Sequence, residues 1–320
     1  MNHTAPVELE PVDAAEVTIV MDNSIDLLLT NTELAKRPRF GPDMFERQLP
    51  VAEHGFSALI TVRRGEQRGT VLFDTGLNPR NLLYNLDSLE IDARDIQAVV
   101  LSHGHPDHAM GLPGLVERLG PRNVPILLHP DALLERKLVL PNGHEVNLPP
   151  PRLADLRREG IAVDVVQEAG PVMLVDEMLL ISGEVGRTTE FEHGLPNQQA
   201  LRDGRWVPDP LVMDDQCVII NVRGKGLVVI TGCGHAGVIN IVRQSQRLTG
   251  VRQVYAVVGG FHLNGPMFEP VIPPTIEALQ EINPAYIVPG HCTGWRATHL
   301  LARAMPGAFV QSSVGTKLVL

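Results

Sequence analysis

Residues 101–112 read LSHGHPDHAMGL, placing His103, His105, Asp107 and His108 within six positions of a chain that holds only 12 histidines. Crowded imidazoles make a poor core and a poor helix, so the cluster needs another use, and a metal ion supplies one. His103 and His105 follow the apolar run AVVLS, and extended backbone turns residues i and i+2 to one side, so the two rings face a common point. Pro106 keeps the loop from turning helical at once. Asp107 and His108 then add a carboxylate and a third imidazole. Three ring nitrogens and a carboxylate oxygen suit zinc, iron or manganese better than calcium or magnesium. Four donors from one loop exceed the needs of a single catalytic metal, which keeps a position open. The spacing therefore predicts two adjacent divalent transition-metal ions, zinc first, with iron or manganese as alternatives.

The elements that position these residues are legible as short runs rich in Val, Ile and Leu, bounded by Gly, Pro, Asn or Asp, which read as buried or half-buried strands. They are VTIVM (17–21), FSALITV (56–62), TVLFD (70–74), IQAVVLS (96–102) and PILLH (125–129) in the first half. The second half repeats the pattern with MLLIS (178–182), QCVIINV (216–222), GLVVITG (226–232), VYAVVGG (254–260) and YIVPGH (286–291). Helical patterns lie between them at 112–120, 236–250, 274–283 and 293–305. Strand-rich halves with helices outside predict an α/β protein in which two sheets pack together and helices cover both outer faces. Residues 1–15 read as a flexible tail and 16–320 as a single domain, within which 130–215 is the least regular stretch, expected as loops and lid.

Composition narrows the function. With 44% hydrophobic and 20% charged residues, 29 Gly and 26 Pro, the chain reads as folded and turn-rich rather than disordered or coiled. A net charge of −10 without a Lys/Arg cluster argues against nucleic acid as a partner. A small-molecule substrate fits better, an anionic one included. The three cysteines, Cys217, Cys233 and Cys292, form no disulfide-like ladder and suggest a reducing compartment. The first sixteen residues lack the basic start and apolar segment of a secretory signal, and no run of about 18 apolar residues offers a membrane span. The expectation is a cytoplasmic protein with no membrane partner.

The HxHxDH pattern behind an apolar strand, with LFDTG (72–76) upstream and Gly290-His291 near the C-terminus, resembles the metallo-β-lactamase superfamily of metal-dependent hydrolases across residues 17–311. The resemblance implies a four-layer αβ/βα sandwich. It also implies roles for further residues. Asp74 would orient the metal ligands from behind, since a carboxylate fixes imidazole tautomers. Cys233 stands where most members place a bridging aspartate, and its thiolate would be a good soft ligand. The histidine usually expected near LLISGEVG (179–186) is missing, and Glu184 stands there instead. His235 is taken to replace it, with Glu184 as the competing ligand. His291 matches the terminal ligand of the second metal, and Cys292 reads as a small neighbour. The first metal would then take His103, His105 and His235, and the second Asp107, His108 and His291. VMDNS (20–24), EHGFSALI (53–60), TGCGHAGVIN (231–240), GGFHL (259–263) and PGHCTGW (289–295) resemble one branch in particular. That branch holds the archaeal dihydropterin-forming ribofuranosylaminobenzene phosphate synthase and its bacterial relatives.

Two metals about 3.5–4 Å apart can share a water and lower its pKa toward 7, so a metal-bridged hydroxide would attack an ester, lactone, amide or phosphodiester. Asp107 and His262 are the candidate catalytic side chains. His262 is not needed as a ligand, so it would contact substrate or donate a proton. His54 and His129 read as loop or supporting histidines. Arg187 is the favoured anion contact, ahead of Arg296, because a guanidinium fork holds a carboxylate or phosphate through two parallel hydrogen bonds. A pterin-related transferase or synthase using the same metals is the alternative reading. A non-catalytic metal-binding sensor is a third, which the complete ligand set disfavours.

Overall fold

The computed structural model describes residues 6–38, 41–120, 122–153 and 164–320. Its first half carries strands β1 (Ala14–Met21), β2 (Ala35–Lys36), β3 (Ser57–Arg64), β4 (Gln67–Phe73), β5 (Ala98–Val100), β6 (Ile126–Leu128), β7 (Arg136–Val139) and β8 (Glu145–Leu148). The rest carries β9 (Val165–Gln167), β10 (Val172–Leu174), β11 (Leu179–Ile181), β12 (Gln198–Arg202), β13 (Arg205–Pro208), β14 (Cys217–Val222), β15 (Gly226–Thr231), β16 (Val254–Gly260), β17 (Tyr286–Gly290) and β18 (Lys317–Val319). Each apolar run of the sequence holds one of these strands, because β-branched side chains pack well on a pleated surface. Helices are α1 (Pro79–Ser88), α2 (Pro106–Ala109), α3 (Leu112–Leu119), α4 (Val238–Thr249), α5 (Ile272–Ile282) and α6 (Trp295–Ala304).

One sheet has the order β2-β18-β1-β3-β4-β5-β6-β9 and the second β10-β11-β14-β15-β16-β17. The period-2 alternation of a strand decides which layer each side chain enters. In β15, Val228 and Ile230 join Val71, Phe73, Val100 and Val258 in the core between the sheets. Their neighbours Leu227 and Val229 pack outward with Ile241 and Leu248 of α4. On the other side, Leu72, Val99 and Ile126 face Leu82 and Leu86 of α1 and Leu115 of α3. Helix, sheet, sheet and helix thus stack as the expected four-layer sandwich. Truncating any of these buried Leu or Ile side chains to Ala would cost about 2–5 kcal/mol.

β4, β5, β6 and β9 run parallel in one sheet, as do β15, β16 and β17 in the other. Parallel strands end at a common edge, where the loops that leave them hold the chemistry.

Three expectations need correction, and one helix lies outside them. Residues 1–5 of the expected tail lie outside the described residues, but 6–15 are tied down: Val7 N donates to Leu248 O at 2.6 Å, and Leu9 and Val12 are buried. Those apolar residues, scattered among acids, bury one side of an otherwise polar segment. The stretch 130–215 is not all loop, since it contributes β7, β8, β12 and β13 to a small antiparallel sheet of order β13-β12-β7-β8. Pro106 does not hold off a helix but opens α2, the position where a missing N–H costs nothing. Helix α1 was not expected, although Asn78 caps it and Pro79 starts it.

Candidate metal centre

Five strand ends deliver the site. Asp74 follows β4, His103 follows β5, Cys233 and His235 follow β15, His262 follows β16 and His291 follows β17. Asp74, His262 and His291 adopt φ of 62°, 42° and 48°, in the left-handed region that non-glycine residues avoid. Such strain persists where surrounding structure holds it, and it gathers at functional sites. Gly104, between the two leading histidines, has no room for a side chain, because a Cβ would lie 2.1 Å from the Ala132 carbonyl oxygen.

The first donor set is His103, His105 and His235. The His105 and His235 rings face each other, Nδ1 to Nε2, at 3.2 Å. His103 lies with its ring centroid 4.4 Å from that of His105 and 4.8 Å from that of His235. Its Nε2 is buried without a partner among the described residues, as expected of a nitrogen kept for a metal. Its Nδ1 is held by Ser102 Oγ at 2.9 Å, and Ser102 in turn donates to Asp74 Oδ2 at 2.7 Å. His105 Nε2 donates to Gln198 Oε1 at 2.6 Å, so β12 of the small sheet fixes that ring.

The second set is Asp107, His108 and His291, joined by Cys233. His108 Nε2 lies 3.1 Å from His291 Nε2 and 3.2 Å from Cys233 Sγ. Asp107 Oδ2 lies 3.3 Å from His291 Nε2. Behind the ligands, His108 Nδ1 donates to Asp74 Oδ2 at 2.7 Å and His291 Nδ1 to Asn23 Oδ1 at 2.9 Å. The donor atoms of Asp107, His108, Cys233 and His291 lie within 4.8 Å of one another, as do those of His103, Cys233 and His235. Cys233 is therefore common to both sets.

Electrostatics differ between the two sets. Burial, reinforced by neighbouring rings, holds His103 and His235 well below the usual imidazole range, and burial takes His105 down to about 4. Neutral imidazole is the form that ligates. Burial alone would lower His108 too, but the Asp74 and Asp107 carboxylates outweigh it and raise His108 to about 9. Burial also pushes the Cys233 thiol up, so it becomes a thiolate only when a cation is beside it. The donor set, five imidazoles with one thiol and one carboxylate, fits two transition-metal ions.

Other expected residues fall elsewhere. Glu184 lies apart from both sets, accepting from His129 Nε2 at 3.2 Å with half its side chain in solvent. Arg187 does not line the site. Its guanidinium donates to the carbonyls of Val185 and Leu211, so its charge is spent on loop backbone rather than turned to a ligand. Arg296 is exposed and pairs with Glu269 at 2.7 Å. His262 packs against His235 with ring centroids 4.2 Å apart and the planes tilted by 50°. Cys292 Sγ donates to the Cys233 carbonyl at 3.2 Å, a packing neighbour in that contact, yet its sulfur also lies within 4.8 Å of the Cys233 and His262 donor atoms.

Sequence reasoning missed the supports. Gln198 carries no sequence signal, and Ser102 was visible only as the end of a strand. Asp22 and Asn23 stand in the VMDNS motif, whose sequence names no partner for them: Asp22 Oδ1 accepts from His291 N at 2.7 Å, and Asn23 holds the His291 ring. The ion pair of buried Arg136 with Asp214 is a further support, since Asp214 Oδ2 also accepts from Gly104 N at 2.8 Å.

The metal centre opens into a cavity of about 600 Å³ whose walls include His54, Leu138, Leu195, Asn197, His262 and Met267. No helix among the described residues is long and apolar enough to cross a membrane.

Comparison with known proteins agrees with this geometry. Residues 52–240 match the family model of the metallo-β-lactamase superfamily. The 7,8-dihydropterin-6-methyl-4-(β-D-ribofuranosyl)-aminobenzene-5'-phosphate synthase of Methanocaldococcus jannaschii is 30% identical over 276 residues, 82% of this chain and 89% of the synthase. A solved structure described as a metal-dependent hydrolase of the β-lactamase superfamily, Tm1679, superposes with a TM-score of 0.72 at 26% identity, covering 95% of this chain and 98% of the other. YhfI of Bacillus subtilis, a metallo-β-lactamase fold protein, shares the fold at a TM-score of 0.51 and 12% identity, over 96% of this chain and 100% of its own. With histidines and an aspartate from five strand ends converging at one edge of a four-layer sandwich, and with the family model spanning more than half its length, the chain belongs to the metallo-β-lactamase superfamily.

Proposed function

We propose that the protein is a metal-dependent hydrolase of a small molecule with an ester, lactone, amide or phosphodiester bond. The observation that carries this reading is the pair of donor sets sharing Cys233 on the floor of an open cavity. Two bound divalent ions, zinc first with iron or manganese as alternatives, would supply Lewis acidity and an activated water. Asp107 is the one acid among the residues lining that cavity, and its carboxylate lies 3.4 Å from His54 Nε2. In this reading it takes the proton released by the attacking water and passes it toward His54. His262, on the same wall, gives a proton to the leaving oxygen or nitrogen. Burial of His103, His105 and His235 opposes their protonation, which keeps these three rings free to ligate near neutral pH. The three free cysteines are buried and suit the expected cytoplasmic setting.

A second reading is a transferase or synthase working on a phosphorylated or pterin substrate with the same residues, supported by the 30% identity to the archaeal synthase. Metal-loaded protein screened against esters, lactones and phosphodiesters in ¹⁸O-water separates the two. Hydrolysis places solvent oxygen in the product. Turnover without solvent oxygen, or turnover only with a second organic substrate, supports the transferase instead.

A further inference from the structure

Strand β16 ends on Gly260, and the chain leaving each of its two neighbours carries a cysteine: Cys233 just past β15 and Cys292 just past β17. Strands on either side of a central one stand roughly 9–10 Å apart. The two sulfurs nevertheless lie within 4.8 Å of each other. Gly260 makes that approach possible. A Cβ there would lie 2.7 Å from Cys292 Sγ and 3.2 Å from Cys233 Cα, so any other residue would fill the space in which the two loops converge.

Cys233 is the donor common to both metal sets, whereas Cys292 belongs to neither and has no part in the proposed hydrolysis. Its sulfur donates to the Cys233 carbonyl oxygen at 3.2 Å, which holds it against its neighbour. Both side chains are largely buried, yet both line the cavity of about 600 Å³ over the metal centre, where a small solute can meet them. Cys217 is placed differently. It is fully buried, its sulfur lies 3.7 Å from Ser245 Oγ, and it does not line that cavity. Cysteines that respond to oxidants are those a solute can reach with a second, resolving cysteine beside them. Cys292 and Cys233 meet both conditions, and Cys217 meets neither.

We propose that Cys233 and Cys292 are a dithiol that hydrogen peroxide closes to a disulfide, and that closure takes the shared ligand away from both metal sets. This goes beyond hydrolysis and rests on the reading above only in taking Cys233 as a ligand. Cys292, which neither set holds, reacts first. Its sulfur bonds to one peroxide oxygen as the O–O bond breaks, giving a sulfenic acid, and the other oxygen leaves as water with the thiol proton. Cys233 Sγ then attacks that sulfur. The S–S bond forms, the S–O bond breaks, and hydroxide departs, taking the Cys233 proton as water where that thiol still carries one. The two sulfurs give up two electrons in all, and the peroxide is reduced by the same two. Because an S–S bond is about 2.05 Å long, the sulfurs close in by rotation about Cα–Cβ, and Cys292 gives up its contact with the Cys233 carbonyl. His103, His105 and His235 remain in one set and Asp107, His108 and His291 in the other, each short of one donor. Metal affinity should fall by about 10–100-fold or more, since losing even a supporting partner of a ligand costs that much.

The test treats zinc-loaded full-length protein with hydrogen peroxide, caps the remaining thiols by alkylation and maps the peptides by mass spectrometry without reduction, while a chromogenic chelator follows zinc release. Expected are a peptide pair joined through Cys233 and Cys292, Cys217 alkylated, and zinc released in step with the joining. Dithiothreitol should reopen the pair and restore zinc binding. Cys292→Ser keeps a donor for the Cys233 carbonyl, so it should bind zinc as the parent does and release it roughly tenfold or more slowly in peroxide. Equal release from folded Cys292→Ser, with oxygens added to Cys233, overturns the proposal, because Cys233 then oxidises without a partner. Zinc retained by a joined pair overturns it too, as does a pair that peroxide never joins. Should the serine variant fail to fold by circular dichroism, the peptide map and zinc release of the parent decide the matter. Every readout is independent of turnover, so a protein that hydrolyses nothing can still pass, and an active hydrolase can still fail.

Discussion

Asp74 and His108 are joined by a 2.7 Å hydrogen bond with neither side chain exposed to solvent. Through its second contact, to Ser102, the same carboxylate also supports His103, so one residue aligns a ligand in each donor set. Asp74→Asn keeps the shape and removes the charge that favours the correct His108 tautomer. Metal affinity should fall by about 10–100-fold, the usual loss for such a supporting carboxylate, as read by competition with a chromogenic chelator. Unchanged affinity would show that Asp74 serves only the fold.

Two metal ions per chain are expected by elemental analysis of protein reconstituted with zinc, iron or manganese. Cobalt-substituted protein should show thiolate-to-cobalt charge-transfer absorption, lost in Cys233→Ser, because Cys233 is common to both donor sets. A ratio at or below one after reconstitution would refute the dinuclear arrangement.

His235→Ala should lower metal content and activity together, whereas Glu184→Gln should leave metal content intact. Their placement carries the contrast: His235 faces His105 at 3.2 Å, and Glu184 pairs with His129 away from the centre. Metal retained by the first variant and lost by the second would reverse the assignment.

Arg187→Lys should act on stability rather than on substrate charge. The guanidinium bridges the carbonyls of Val185 and Leu211, and an ammonium cannot reproduce that fork. Loss of about 1–3 kcal/mol is expected in denaturant unfolding, with Michaelis constants for anionic and neutral substrates changing alike. A selective effect on the anionic substrate would restore Arg187 as an anion contact.

Burial raises the Asp215 carboxyl to about 7, from an ordinary value of 3.8. A carboxyl whose folded value is raised holds its proton longer in the native state. Its contribution is fully present below about pH 4 and is lost as pH climbs to about 7. Asp215→Asn removes that loss, so the variant should gain stability relative to the parent as pH rises from about 4 to about 7 in metal-free protein. A pH-independent difference between the two would show that Asp215 is ionised in the fold throughout.

The sequence carried the strands and the donors because both depend on local signals: β-branched runs, and donors placed directly behind them. The four-layer sandwich follows from those runs once alternation is applied, as in Leu227 to Ile230 of β15. The small sheet was less legible because its strands are short and two of them, Glu145–Leu148 and Arg205–Pro208, are largely exposed. Gln198 and Asn23 were silent for another reason. An amide that supports an imidazole is chosen by distance in the fold, and sequence neighbours say nothing of a partner 93 or 268 positions away. Arg187 misled for the same reason, since nearness along the chain to a site loop did not turn its side chain toward the site.

The spread of the ligands along the chain also sets a schedule. His105 and His235 are separated by 130 residues, and His291 comes later still. At synthesis rates of about 5–20 residues per second, His103 and His105 leave the ribosome roughly 7 to 26 seconds before the ring that completes their set. Over that interval the nascent chain offers the four donors of the HGHPDH loop, but neither ring from the second sheet. Tight metal capture must therefore wait until both sheets exist, so the centre is filled by a finished fold and cannot be seized by the first cation an unfinished chain meets.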